Sequence, residues 1–196
     1  MLTSKEFTCY HGTTLSAIPS IINNGFNLSQ SNEDWLGHGV YFFTDGISDP
    51  LKNAIEWSKN KSKSKSKSKS KSKSKNDDIC IIKVKVKVDD SEVLDLRTTK
   101  GLNVYNFHRD SIIDNYYDVL TKRRDITIKK RKDTRVDDCT IMDILQQTLN
   151  YKVIIHNVYI KNYHQRKLAL ESSYPNSTVL CVNDLSGINI IDVINI

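Results

Sequence analysis

A chain of 196 residues, 38% hydrophobic and 27% charged, is long enough for one domain with a buried core and too short for two packed catalytic domains. Its formal net charge of +6 comes from the alternating Lys61 to Lys75 run; without the eight lysines there, 21 basic residues face 23 acidic ones, a net of −2, which excludes a basic nucleic-acid-binding body. Nothing near the start reads as a signal peptide and nowhere do apolar residues run long enough for a membrane span, so a cytoplasmic protein with no membrane partner is expected.

Phe7, Cys9 and His11 alternate as one face of a first strand ending at Gly12. Thr14 is placed to cap a helix with an Ala17, Ile18, Ile21 and Ile22 stripe, and Gly25 to stop it. Residues 27 to 36 read as a polar loop, Val40 to Phe43 as a strand, and Asp49-Pro50 as the start of a helix carrying Ala54 and Trp57. The Lys/Ser repeat follows. It cannot bury apolar area to offset chain entropy, so residues 59–77 are expected to be a disordered insertion, either a tolerated surface loop or an electrostatic lure for RNA, DNA or an acidic protein.

Beyond it, Ile79 to Val88 alternates strictly enough to predict a strand with one wet and one buried face, which Val93 to Leu96 continue or pair with. Residues 101 to 122 and 137 to 150 carry helical periodicity, with a basic connection from Lys122 to Lys132 between them to which no function is assigned. Val153 to Ile160, Thr178 to Val182 and Ile188 to Ile194 are Val- and Ile-rich and read as strands. The sum is a single α+β domain over residues 1–196.

The cysteines Cys9, Cys80, Cys139 and Cys181 form no C-x-x-C pair and match no histidine spacing, so buried reduced thiols and no metal are expected. Neither G-x-G-x-x-G nor a phosphate loop occurs, nor H-E-x-x-H, nor G-x-S-x-G, which removes Rossmann, zinc-protease and α/β-hydrolase chemistries.

One constellation remains. His11-Gly12-Thr13 at a strand end, a helix, then Trp35-Leu36-Gly37-His38-Gly39-Val40-Tyr41-Phe42-Phe43 and the Ala54/Trp57 helix follow in an order that resembles ADP-ribosyltransferases of the poly(ADP-ribose) polymerase-like, His-Tyr-Glu type. The resemblance covers residues 7 to 58 well and the remainder less. It implies a split β-sheet core with flanking helices that grips NAD, the substrate, in a cleft between two small sheets.

In that family the first-strand histidine binds the adenosine ribose, which maps to His11; the following glycine offers backbone groups to the nicotinamide amide, which maps to Gly12, with Thr13 adding a hydroxyl. Tyr41 takes the position of the ring stacked on nicotinamide, Trp57 that of the second aromatic, and Trp35 walls the loop. The chain departs from the family where a late strand opens on glutamate or glutamine, for here Val179 stands there. Valine cannot stabilise the cation that develops when the nicotinamide–ribose bond breaks. Glu171, eight residues earlier, is one substitute for the catalytic acid; Glu33 and Asp34 are others.

The resemblance therefore implies a mono-ADP-ribosyltransferase acting on a protein, RNA or DNA acceptor, in the manner of a toxin or phage-defence effector with an antitoxin partner. A catalytically inactive NAD- or ADP-ribose-binding module, recruited through the basic loop, is the alternative. An RNA 2′-phosphotransferase would need paired arginines that are not evident around His11.

Overall fold

The alternation in Lys83-Val84-Lys85-Val86-Lys87-Val88 becomes the spine of the molecule. It lies in β3 (Ile79–Asp89), where Val84, Val86 and Val88 are buried while Lys85 and Lys87 are exposed. The computed structural model describes residues 3–31, 33–68, 78–118, 120–121 and 134–196. The basic connection at 122–132 and the repeat from 69 to 77 lie outside them.

β3 pairs on one side with β1 (Ser4–Thr14) in an unbroken antiparallel register from Ser4↔Asp89 to Thr14↔Ile79, and on the other with β7 (Ile188–Asn195). β2 (Val40–Thr44), β6 (Ser177–Val182), β5 (Val153–Val158) and β4 (Val93–Asp95) complete one mixed seven-stranded sheet in the order β4-β5-β6-β2-β1-β3-β7. Only β4 and β5 are parallel among the described pairs. The fold is mixed α+β, as expected.

Each face of the sheet carries its own core. One gathers Cys9, Phe42, Ile82, Val84, Leu180 and Val182 under Ile18 of α1 (Ile18–Asn24) and Phe26. The other packs Phe43, Ile81, Ile154, Val179 and Cys181 against Ala54 of α2 (Pro50–Ser68), Ile112 of α3 (Thr99–Asn115) and Met142 and Leu145 of α4 (Thr134–Leu149). Burying each such side chain stabilises the fold by about 1.5–3 kcal/mol before entropy is counted.

Several local expectations are corrected. β1 continues past Gly12 to Thr14 because β3 supplies partners that far. Thr14 precedes a 3-10 turn (Leu15–Ala17) without a side-chain cap, its hydroxyl meeting that of Ser16 at 3.0 Å. Ile22 points to solvent, so the stripe of α1 is narrower than the sequence suggests. Val93–Asp95 pairs with β5 rather than with the Ile79 to Val88 strand, because a 3-10 turn at Asp90–Glu92 redirects the chain.

Helix α2 runs through residues 59–68, where disorder is expected from composition; extending a helix already nucleated costs little, and lysine is a good helix former. A short helix, α5 (Tyr163–Lys167), was missed by periodicity. Its signal is the capping box in which Asn162 accepts from the Gln165 backbone and Gln165 returns the bond.

Candidate functional site

The ladder between β1 and β2 consists of Cys9↔Thr44 and Tyr10↔Phe43. Continued in register it would set Gly12 opposite Tyr41, but the strands part there. The imidazole of His11 takes over the Tyr41 carbonyl, with Nδ1–H donating to it at 2.8 Å. Since a carbonyl only accepts, that bond makes Nδ1 a protonated nitrogen of the ring. The ring is held from the side by Phe26 and Phe42, whose centroids lie 5.3 and 5.7 Å away in edge-on geometry.

A cavity of about 620 Å³ opens at this parting of the strands. His11, Gly12, Tyr41, Trp57 and Val179 all line it, as do Glu33, Asp34 and Trp35 from the loop before β2. Residues up to 168 positions apart in the chain thus meet at one site, within the volume range of small-molecule pockets. Thr13 is not among the lining residues; it lies in the β1–β3 ladder opposite Cys80.

Gly12 earns its place by packing. A Cβ there would collide with the backbone carbonyl of Ala54, so only glycine lets α2 lie against β1 and carry Trp57 to the cavity wall. Trp57 meets Trp35 at 6.5 Å between centroids, a tilted pair that joins the helix to the loop.

Tyr41 is locked by its hydroxyl, which donates to the Gly37 carbonyl at 2.7 Å and accepts from the Leu36 N–H at 2.8 Å. Burial raises its pKa far above the ordinary phenol value, so the phenol stays neutral and offers its ring rather than a proton.

The carboxylates divide sharply. Glu171 is absent from the cavity lining, its side chain is 77% exposed, and it is ion-paired with Lys161. Val179, by contrast, is 2% exposed on the cavity wall, so β6 itself brings no acid there. Glu33 and Asp34 line the cavity instead. Burial raises the Asp34 pKa, partly offset by a hydrogen bond with Ser29 and by His38.

Behind this loop lies a polar knot that sequence reasoning missed. Asp143 of α4 accepts from the His38 backbone N–H at 2.6 Å through Oδ1, and its Oδ2 lies 3.0 Å from His38 Nδ1. Cys139, one helical turn earlier, places Sγ 3.7 Å from the same Oδ2 and 3.5 Å from the Ser31 carbonyl. Burial pushes the Cys139 thiol up to about 12. Gln146 donates to the Leu36 carbonyl at 3.4 Å.

Gly37 makes this approach possible, with φ at 80° and room for no Cβ, which would stand 2.6 Å from Asp143 Oδ1. The available signal was the i, i+4 spacing of Cys139 and Asp143 on one helix face. All four cysteines are buried and unbridged.

Among the described residues no helix is long and apolar enough to cross a membrane. Comparison with family models, with curated proteins and with solved structures found no match to this chain.

Proposed function

We propose that the chain is an NAD-dependent mono-ADP-ribosyltransferase whose site is the cavity between β1 and β2. The carrying observation is the meeting of His11, Gly12, Tyr41 and Trp57 on the wall of one cavity at the point where the β1–β2 ladder ends. The resemblance implies two small sheets; the strands here form one seven-stranded sheet, joined at the β1–β2 seam by two register pairs.

In this reading His11 orients the adenosine ribose through Nε2, while the Tyr41 carbonyl fixes the ring from the other side. The Tyr41 and Trp57 rings hold the nicotinamide, and Gly12 presents main-chain groups to its amide. Breaking the nicotinamide–ribose bond leaves positive charge on the ribose, which a nearby carboxylate stabilises. Glu33 fills that role better than Glu171, because it lines the cavity and Glu171 does not. The acceptor is a protein or nucleic acid, and an antitoxin partner fits the same reading.

Purified protein is incubated with NAD and a lysate holding both protein and RNA, and free nicotinamide is followed by chromatography. The expected result is release that falls about a hundredfold in His11→Ala, since losing an orienting contact at the reacting centre costs on that order. The aliphatic wall at Val179 favours a second reading, a binding module without chemistry. Saturable NAD binding with no nicotinamide release would select it.

A further inference from the structure

The knot behind the cavity is chemically unlike anything the transferase reading needs. His38, Cys139 and Asp143 bring an imidazole nitrogen, a sulfur and a carboxylate oxygen within 4.8 Å of one another. We propose that these three side chains form a zinc site that pins the loop before β2 to α4.

The donor set argues for zinc. Imidazole, thiolate and carboxylate together are the ligands of tetrahedral zinc rather than of magnesium or calcium, which take oxygen alone. The spacing agrees. Bonds of about 2.0–2.3 Å in a tetrahedron set ligand atoms about 3.3–3.7 Å apart. His38 Nδ1 and Cys139 Sγ lie 3.0 and 3.7 Å from Asp143 Oδ2, each within a few tenths of an ångström of such an edge, and the set as a whole spans no more than 4.8 Å.

The carboxylate is already aimed, because the His38 backbone N–H holds its other oxygen at 2.6 Å, the kind of outer contact that orients metal ligands.

A second observation points the same way. Among the described residues Asp34 Oδ2 is a buried polar atom without a hydrogen-bond partner. Asp34 is close enough to His38 and Asp143 for their charges to act on its carboxyl, which sets two acids and one imidazole in one corner. A divalent cation would offset the negative charge that two carboxylates bring to it. Asp34 or a water supplies the fourth ligand. On binding, the Cys139 thiol loses its proton to solvent and the thiolate becomes the sulfur ligand.

The site's consequence is positional. His38 follows Gly37, whose carbonyl holds the Tyr41 hydroxyl, and Trp35 three residues earlier lines the cavity. A metal here would fix both aromatic walls without touching the ligand. It is a structural ion in this assignment, and Asp143 and Cys139 are positioning residues.

Full-length protein, freed of metal by a chelator, is titrated with zinc against a chromophoric competitor, and separately with cobalt while the near-ultraviolet thiolate-to-cobalt band is recorded. The expected result is one zinc per chain, a cobalt band that Cys139→Ser abolishes, and zinc affinity weakened more than about a hundredfold in His38→Gln and in Asp143→Asn, beyond what loss of an outer contact alone produces. Thermal melts with and without zinc accompany each variant, so that a misfolded variant is recognised, and the wild-type titration stands by itself. No competitor-resistant zinc and no thiolate band in the folded wild type would overturn the proposal, leaving a metal-free His38–Asp143 clamp. A band that survives Cys139→Ser would overturn the assignment of the sulfur ligand.

Discussion

The two halves of the sheet solve the same problem differently. β1, β3 and β7 are long, and β3 keeps an alternating pattern, with Lys85 and Lys87 exposed opposite buried valines and surface pairs such as Glu6–Lys85 at 2.6 Å along the wet face. In the other half every residue of β6 is buried, packed on both faces, and its neighbours β2 and β5 are short. A strand covered on both sides must be apolar throughout, which is why the late strand offers Val179 to the cavity and no carboxylate. Polar side chains instead gather at the seam, where the ladder gives way and side chains must satisfy what the backbone no longer does.

That contrast can be broken most severely in the doubly covered half. Leu180→Ala, at a fully buried position of β6, is expected to destabilise the protein by about 3 kcal/mol through lost burial and the cavity left behind. Urea unfolding measures it. A loss below about 1 kcal/mol would show β6 to be less enclosed than its burial indicates.

At the seam, Gly12→Ala drives a methyl group into the Ala54 carbonyl and must move α2. The expected cost is about 2 kcal/mol, as for other forced overpacking, with Trp57 fluorescence shifting as the helix backs away. Unchanged stability and emission together would refute the close approach.

The smallest effect concerns pH. Burial holds the His156 imidazole below its ordinary value, although a backbone bond to Leu96 and the charge of Asp95 act the other way. The unfolded chain therefore binds a proton that the folded chain resists. This contribution is whole above the unfolded value of about 6.5 and is lost as pH falls from there through the lower folded value. His156→Gln should flatten the decline of Tm across that interval. A decline as steep as wild type would assign the pH dependence elsewhere.

Reading the sequence located the strands well because each has a strong local signature. The Lys/Val alternation of β3 and the Ile/Val runs of β5, β6 and β7 state both the period and the burial of their positions. Motif order likewise brought forward His11, Gly12, Tyr41, Trp57 and Val179, which all line the cavity. Pairing was less legible. Val93–Asp95 chose β5 as its partner because a turn at Asp90–Glu92 moved it across the sheet, and no local pattern encodes such a choice.

The acids show the limit most clearly. Glu171 and Glu33 are equally polar in sequence, yet Lys161 holds the first at the surface while the second lines the cavity.

By itself the sequence determined the alternation of elements, the apolar character of each strand and the short-range chemistry of His11-Gly12 and Gly37-x-Gly39, because these depend on neighbours within a few residues. Only the tertiary structure decided that His11 would replace a ladder bond to Tyr41, that Glu171 would be withdrawn, and that His38 would meet Asp143 and Cys139 across 105 and 101 positions of chain. Such meetings depend on how whole strands and helices pack, and packing is a property of the assembled cores rather than of any segment.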